Sequence, residues 1–301
     1  MTPYLTVFTP AYNRAHTLGR LYDSLKGQTC LDFEWLVVDD GSTDGTAALL
    51  KGFEDDEGRP FPFAFVTVKN GGKPRAINRG VEMANGKFFF LIDSDDYIVP
   101  DAIEKVIRWC REIENDDSFI GVGGARCYPD GSYIKGVPPT VNEKGYVDAT
   151  NLERPRYNLD ADMCEAYRLD LYRKFPYMTW EGENFAPEEI TMNEIALNGY
   201  RLRWHSDRIY ICEYLPGGLT RSGLSLGKRN PMGYAMMYNH RLKCPSTFKQ
   251  KLYNAMQMTA QSIFGRHPGY IFKSNAPLAT LLTLPLGLVL SIRRFLQHRK
   301  V

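Results

Sequence analysis

The chain has 301 residues, of which 44% are hydrophobic, 24% charged and 13% aromatic. This composition is that of a globular protein with ample apolar material for a core, and it excludes disordered, collagen-like and disulfide-stapled miniprotein classes. The net charge of +2 hides an asymmetry, because residues 1–200 carry 21 Lys and Arg against 33 Asp and Glu, whereas residues 201–301 carry 16 against 2. The 88 residues after Glu213 contain 13 basic side chains and no acidic one, a pattern suited to an anionic partner.

Strand and helix patterns alternate over the first 127 residues. Short β-branched and aromatic runs predict the strands, and apolar residues at helical spacing predict the helices between them. The predicted strands are 4–9, 33–38, 63–68, 87–92 and 119–127, and the predicted helices are 18–27, 46–53, 75–84 and one opened by Pro100. This alternation is typical of an α/β protein with a Rossmann-like, doubly wound and mostly parallel sheet.

The pattern becomes irregular beyond residue 128. It predicts a helix at 162–174, a helix with Pro187 in its first turn, strands at 200–204 and 208–214, and helices near 232–242 and 246–264. We therefore expect one domain with a first half at 1–127 and a second half at 128–215. A basic helical extension at 216–301 follows, and it contains an apolar segment, 276–292.

The six cysteines form no Cys-x-x-Cys pair and have no His at metal-ligand spacing, a pattern typical of reduced thiols and not of a zinc site. The first residues reach polar side chains too soon for the apolar core of a signal peptide, so we expect the folded part to stay in the cytoplasm.

Polar clusters follow three predicted strands, at the carboxyl ends where open α/β sheets bind ligands. They are residues 10–14, 39–42 and 93–96. The three carboxylates within residues 93–96 repel one another unless a cation lies among them, and such an oxygen-rich site suits Mg²⁺ or Mn²⁺ carrying phosphates. The alternative is that Asp96 or Asp101 caps the following helix and the other carboxylates are solvated.

Two further groups near these clusters suit a nucleotide. Asp39 and Asp40 can accept hydrogen bonds from a base or a ribose, and the alternative is an ordinary Asp-Gly turn. Lys73 and Arg75 can neutralise a diphosphate, and the alternative is solvation on a loop.

Four segments in this region resemble the successive signatures of family 2 glycosyltransferases, in matching order and spacing. They are TPAYNR at 9–14, VVDDGSTD at 37–44, NGGKPRAIN at 70–78 and LIDSDD at 91–96. The resemblance implies a GT-A fold and inverting transfer of a sugar from a nucleotide diphosphate donor.

The resemblance also implies roles for individual residues. It places Asp40 at the donor base, Asp93 near the ribose and Asp95 as principal metal ligand of a D-x-D motif. Other residues implied at the donor or its metal are Pro10, Ala11, Tyr12, Arg14, Asp39, Lys73, Arg75, Ser94 and, as a second metal ligand, Asp93. His205 is a further candidate ligand, with a structural role as the alternative.

Inverting transfer requires a general base. In the family an acidic pair at a helix start usually supplies it, and the segment WEGENFAPEE at 180–189 is similar, with Glu in the second place. Glu188 and Glu189 are both candidates, and helix N-terminal charge complementarity is the alternative. Asp162 and Trp180 are candidates for the acceptor side, with helix capping as the alternative for Asp162.

Residues 276–292 contain no charged side chain. A membrane span needs about 20 apolar residues, and Pro277, Pro285 and Gly287 interrupt this segment, so an interfacial position is favoured over a span. A buried helix in a soluble protein is the alternative. Basic residues follow the segment and predict contact of residues 276–300 with anionic head groups: Arg293, Arg294, Arg299 and Lys300. No nucleic-acid-binding motif is present.

The resemblance thus implies a metal-assisted inverting glycosyltransferase, and the apolar and basic C-terminal segment predicts a peripheral position on the inner face of the cell membrane. Its expected donor is a nucleotide sugar, most commonly a UDP-sugar in the family, and its expected acceptor is a hydroxyl of a lipid-linked saccharide or polysaccharide. A nucleotidyltransferase acting on a sugar phosphate and a non-catalytic nucleotide-binding protein at the membrane are the alternatives.

Overall fold

The computed structural model describes residues 2–213 and 223–298, with the side chains of residues 223, 224 and 298 left out. The described residues form two compact units. The first, the sheet unit, contains those up to Pro176 and those from Ile195 to Glu213. The second, the helical unit, contains Tyr177–Glu194 and the described residues from Gly223 onward. The basic residues Arg299 and Lys300 lie outside the described residues.

Strands of the sheet unit form one mixed sheet. Their bounds are β1 Leu5–Ala11, β2 Phe33–Asp39, β3 Phe63–Thr67, β4 Phe88–Leu91, β5 Tyr97–Ile98, β6 Phe119–Cys127, β7 Tyr146–Ala149, β8 Met163–Arg168 and β9 Arg201–Ile211. The order is β3-β2-β1-β4-β8-β6-β9-β5, with β7 also paired to β9. The first four strands in this order are parallel, β8 is antiparallel to β4 and β6, and β6 is parallel to β9. The predicted α/β architecture is confirmed.

Helices flank the sheet in the first unit and make up most of the second. Their bounds are α1 Leu18–Lys26, α2 Thr46–Glu54, α3 Lys73–Met83, α4 Ala102–Ile113, α5 Leu169–Tyr172, α6 Glu189–Leu197, α7 Gly223–Arg229, α8 Pro231–Arg241, α9 Phe248–Phe264 and α10 Pro277–His298. Local sequence explains several boundaries. Pro74 lies in the first turn of α3, and Thr247 and Gln250 form a reciprocal capping box that starts α9.

The prediction of a helix at 162–174 is wrong. Residues Met163–Arg168 form strand β8, and only Leu169–Tyr172 is helical. The reason is tertiary, because β8 pairs on both sides, with β4 and β6, and completes the middle of the sheet. Asp162 therefore precedes a strand and caps no helix. The two strands expected at 200–204 and 208–214 are one strand, β9, with register shifts against β6.

The core of the sheet unit is built from strands that are buried on both faces. Val7 of β1, Trp35 of β2 and Phe90 of β4 are all almost fully buried, as expected for parallel strands covered by helices. Helix α4 contributes an apolar face that includes Ile103 and Val106. This packing fixes the carboxyl ends of β1, β2 and β4, from which the polar loops of the site emerge.

Close packing also leaves no room for side chains at some glycines. A Cβ on Gly121 of β6 would lie 2.2 Å from the carbonyl oxygen of Ala166 on β8, whereas a Cβ on Gly52 of α2 would meet no atom within 4 Å. We expect Gly121→Ala to lower stability by roughly 1–3 kcal/mol through overpacking. Gly52→Ala should raise stability by roughly 1 kcal/mol, because alanine is the better helix former.

Urea unfolding followed by circular dichroism checks this pair of variants. A midpoint for Gly121→Ala at or above that of the wild-type protein would contradict the packing of β6 against β8.

Candidate active site

The polar clusters meet at one edge of the sheet because their strands are parallel and in register. Ala11 of β1 lies opposite Asp39 of β2, and Phe8 of β1 lies opposite Leu91 of β4. The segments at 10–14, 39–46, 70–75 and 93–96 therefore lie side by side at this edge, which we call the rim.

The first two rim segments hold each other through reciprocal hydrogen bonds. The backbone N–H of Asn13 donates to Oγ of Ser42 at 2.8 Å, and the N–H of Thr43 donates to Oδ1 of Asn13 at 2.8 Å. Asn13 has a φ of 54°, a left-handed conformation that asparagine tolerates. Pro10 and Ala11 are buried at the end of β1, and the bend at Asn13 leaves Tyr12 exposed beside Arg14.

Asp39 is buried and shapes the turn that follows β2. Its Oδ1 accepts a hydrogen bond from the N–H of Ser42 at 3.0 Å, and its Oδ2 accepts one from the hydroxyl of Thr67 at 3.1 Å. These contacts match the Asp-Gly turn weighed as the alternative, and a nucleotide contact for Asp39 stays a prediction.

Asp40 ties the third rim segment to the second. Its two carboxylate oxygens accept hydrogen bonds from the consecutive N–H groups of Gly71 and Gly72, at 2.8 and 2.7 Å. Burial raises the pKa of Asp40, and these two hydrogen bonds oppose that rise. Gly41 has a φ of +73°, and a Cβ there would lie 2.8 Å from the backbone nitrogen of Asn70, so only glycine fits. The side chain of Arg75 donates to the carbonyl of Gly71 at 2.6 Å.

Asp93 is held between two cations. Its carboxylate lies 2.8 Å from Nζ of Lys73 and 3.2 Å from a guanidinium nitrogen of Arg126. Burial favours the neutral acid, but Lys73 and Arg126 outweigh it and hold the pKa of Asp93 well below its usual range. The N–H of Asp93 also donates to the hydroxyl of Tyr210 at 2.8 Å.

Arg126 is a site residue that the sequence analysis missed. Its guanidinium is also 3.5 Å from Asp96 and lies over the ring of Tyr210, 4.2 Å from the centroid. Burial, followed by the charge of Asp93, raises the pKa of Asp96 to about 7. The available signal was an arginine inside the otherwise apolar strand FIGVGGARC, because a buried charge needs a partner.

Asp95 is the most accessible of the three carboxylates. Its side chain is 26% exposed, against 19% for Asp93 and 7% for Asp96. Its carboxylate is 3.6 Å from Arg14, and Arg20 donates to its backbone carbonyl at 2.7 Å. Ser94, between Asp93 and Asp95, is buried. Within residues 2–213 and 223–298, no group of three or more His, Cys, Asp or Glu side chains is arranged to hold a metal ion.

His205 has the surroundings of a packing residue. It is buried on β9 and stacks face to face on Trp109, with ring centroids 4.1 Å apart and an interplanar angle of 7°. Burial, with the nearby positive charge of Arg203, lowers the pKa of His205 to about 3. The metal site proposed below therefore leaves His205 out.

Asp162 lines a small surface pocket of the sheet unit together with Arg126, Tyr133, Lys135 and Asn158. Arg126 also contacts Asp93, so one side chain borders both this pocket and the acidic cluster.

The acidic pair lies in the helical unit. Helix α6 begins at Glu189, and the carbonyls of Pro187 and Glu188 accept hydrogen bonds in its first turn. Nε of Arg241 on α8 donates to Oε1 of Glu189 at 2.6 Å, and a second guanidinium nitrogen donates to Oε2. Trp180 makes edge-to-face contacts with His267 and Tyr270, with centroids 5.1 and 5.7 Å apart.

A sheet of this topology with an acidic cluster after β4 defines the GT-A class of folds. The chain belongs to glycosyl transferase family 2, whose model matches residues 6–175. Two solved structures share the fold at 19% sequence identity. They are residues 1–349 of S. aureus TarS in complex with UDP-GlcNAc, with a TM-score of 0.63 over 95% of this chain and 81% of that one, and the mannosyltransferase PcManGT from Pyrobaculum calidifontis in complex with GDP-Man and Mn²⁺, with a TM-score of 0.57 over 99% and 83%.

The chain matches curated relatives over part of its length and spans only a small part of the longest of them. A chondroitin synthase of Pasteurella multocida is 34% identical over 134 residues, which are 44% of this chain and 13% of the synthase. The glycosyltransferase GlyG of Streptococcus pneumoniae is 23% identical over 233 residues, 75% of this chain and 76% of GlyG.

The neutral, buried His205 predicts a pH dependence of stability. Its folded pKa of about 3 lies below the ordinary value near 6.5, so between about pH 7 and pH 5 only the unfolded chain takes up this proton. The wild-type protein should lose about 2 kcal/mol of unfolding free energy from this group over that interval. His205→Gln should remove this part of the pH dependence.

Urea unfolding at both pH values measures the difference. His16→Gln, the same change at an exposed histidine, is the control and should retain the wild-type pH dependence. An unchanged pH dependence in His205→Gln would contradict the buried neutral state.

Proposed function

We propose that this chain is an inverting glycosyltransferase that moves a sugar from a nucleotide diphosphate donor to a hydroxyl of a glycan or lipid-linked acceptor. The observation that carries the proposal is the rim, where the carboxylate of Asp95 lies 3.6 Å from Arg14 and that of the half-buried Asp93 lies 2.8 Å from Lys73. Such an arrangement suits a cation and a diphosphate. Bound UDP-GlcNAc and GDP-Man in two proteins with this fold support a nucleotide-sugar donor.

The residues of the rim fit a divalent metal. Asp95 is accessible and oxygen-donating, and Asp93 beside it is held ionised by Lys73 and Arg126. Asp95 would be the principal ligand of Mg²⁺ or Mn²⁺ and Asp93 a second. A metal held by them would supply positive charge to balance the departing diphosphate. Tyr12, Asp40, Lys73 and Arg75 are the proposed contacts to the nucleotide.

The helical unit supplies the proposed general base. Glu189 takes the proton from the acceptor hydroxyl while that oxygen bonds to the anomeric carbon and the bond to the diphosphate breaks, which inverts the anomeric configuration. The bidentate contact from Arg241 keeps the carboxylate of Glu189 in one orientation. Arg241 is therefore proposed as a positioning residue, and Glu188 is the alternative base.

The acceptor and the place of action are proposed more broadly. Relatives named chondroitin synthase and hyaluronan synthase favour a polysaccharide or an oligosaccharide on a lipid. The apolar segment at 276–292 favours action at the inner face of the cell membrane. We expect a UDP-sugar donor, and Asp162 and Trp180 are each proposed as acceptor-side residues of their own unit.

The donor site is tested by Asp95→Asn. In calorimetric titrations with UDP, GDP, dTDP and CDP, the wild-type protein should bind one nucleotide class selectively and more tightly with Mn²⁺. Asp95→Asn should weaken the Mn²⁺-dependent binding about tenfold or more, because it removes the charged metal ligand.

Asp117→Asn, at a side chain that is 96% exposed, is the matched control and should bind like wild type. Undiminished metal-dependent binding by Asp95→Asn would contradict the site. Turnover that releases pyrophosphate, with the nucleoside monophosphate kept on the product, would instead identify a nucleotidyltransferase.

The base is tested by replacing each glutamate separately. Glu189→Gln should lower kcat by roughly 100- to 10,000-fold with little change in donor affinity, because the amide cannot accept the proton. Glu188→Gln should lose much less activity. The reverse ranking would assign the base to Glu188, and full activity in both variants would place it outside this pair.

A further inference from the structure

Helix α10 has two faces of different character. The face packed on α9 consists of small and hydroxyl-bearing side chains, which are Ala279, Thr280, Thr283 and Ser291 together with Gly287. A Cβ on Gly287 would lie 2.6 Å from Cγ2 of Thr259, so the two helices touch closely. The remaining surface exposes a stripe of aliphatic side chains, 57–78% accessible: Leu278, Leu281, Leu282, Leu286, Val289, Ile292 and Leu296.

This leucine face is unusual for a surface in water. Its side chains recur at helical spacing along a helix of 22 residues, about 33 Å long. Monomeric soluble proteins rarely expose an apolar patch that continuous, and such patches mark partner or membrane contacts. The face therefore calls for an apolar medium.

The neighbouring helix sets the depth at which α10 lies. By length and composition alone, Pro277–Gln297 is apolar enough to cross a membrane. Helix α9, however, carries Lys249, Lys251 and Gln257, which hydrocarbon would not solvate. The small-residue face of α10 packs along α9. We therefore expect α10 to stay at the membrane surface, at a depth that leaves α9 in water.

The positive charge near the leucine face indicates which kind of apolar surface it contacts. The sequence after Glu213 contains no acidic residue. The acidic side chains of the helical unit lie at 181–194, and there Glu189 pairs with Arg241 and Glu194 with Lys243. Beside the leucine face, the chain instead presents Lys273 and Arg293, both exposed. A leucine face bordered by positive charge matches an anionic lipid surface.

We propose that helix α10 lies in the plane of an anionic lipid bilayer, with its leucine face inserted among the head groups and acyl chains and with α9 on its aqueous side. The inference deepens the proposed function and rests on its membrane location, since an enzyme held this way meets a lipid-linked acceptor.

Vesicle flotation of the full chain tests the proposal. The protein should float with phosphatidylcholine vesicles that contain phosphatidylglycerol and much less with phosphatidylcholine alone. Leu282→Gln/Leu286→Gln should weaken binding more than about tenfold. Lys273→Gln/Arg293→Gln should weaken binding about fivefold for each charge removed, and added salt should do the same.

Leu31→Gln/Val137→Gln, the same kind of change at two exposed apolar residues of the sheet unit, is the matched control and should float like wild type. Equal binding to both vesicle types, or undiminished binding by Leu282→Gln/Leu286→Gln, would overturn the proposal. Retention in vesicles after an alkaline carbonate wash would also overturn it, because an in-plane helix is extracted and a spanning one is not.

Sedimentation without lipid tests whether a second copy of the chain covers the leucine face instead of lipid. A dimer that Leu282→Gln/Leu286→Gln dissociates, combined with no flotation, would show that a second copy covers the face and would overturn the proposal. Nucleotide titration of the same variants separates the two hypotheses. Donor binding and transfer without flotation would leave the proposed catalysis standing, and flotation without transfer would leave the lipid contact standing.

Discussion

The rim depends on the contacts that the largely enclosed guanidinium of Arg126 makes with two of its carboxylates. Three carboxylates follow β4 within four residues, and their mutual repulsion would drive them apart in a low-dielectric setting. Arg126 lies 3.2 Å from Asp93 and 3.5 Å from Asp96, and its Nε donates to the carbonyl of Met163 at 2.9 Å. The cluster can therefore keep Asp93 ionised while Asp95 remains the most accessible of the three carboxylates.

The strand order of the mixed sheet brings Arg126 to this cluster. Arg126 lies on β6, and β6 is joined to β4 only through the antiparallel strand β8, which pairs with both. Because β8 is antiparallel to both neighbours, β4 and β6 run in the same direction and end at the same edge of the sheet. Arg126, near the end of β6, therefore lies close to the carboxyl end of β4. Tyr210 on β9, the next strand, then supports both the guanidinium and the backbone of Asp93. Residues of β6 and β9, beyond β8 in the sheet, thus hold the acidic cluster that follows β4.

The parts of the fold that could be predicted are those determined by neighbours in sequence. The strands β1 to β4 and helices α1 to α4 follow from local periodicity, and the rim follows from the rule that parallel strands end at one edge. Strand β8 could not be predicted that way, because MCEAYRLDLY has an apolar spacing compatible with a helix and only pairing on both sides decides it. Arg126 was missed although its strand was predicted, because its partners Asp93 and Asp96 become its neighbours only once β8 joins β6 to β4. The contact of Arg241 with Glu189 joins residues 52 positions apart, so no local sequence motif predicts this ion pair.

The basic residues after Glu213 include two groups with different contacts. One group pairs with the acidic residues at 181–194, where Arg241 donates two hydrogen bonds to Glu189, and Lys243 and His240 contact Glu194. These pairs need geometry, and exchange of Arg241 for lysine would lose the bidentate contact although the charge stayed. The other group borders the leucine face of α10, and in the proposed lipid contact only the sign and number of these charges would matter, because lipid head groups rearrange. Composition alone shows the excess of charge, and only the helix packing separates the basic residues that pair with Glu189 and Glu194 from those that lie beside the leucine face.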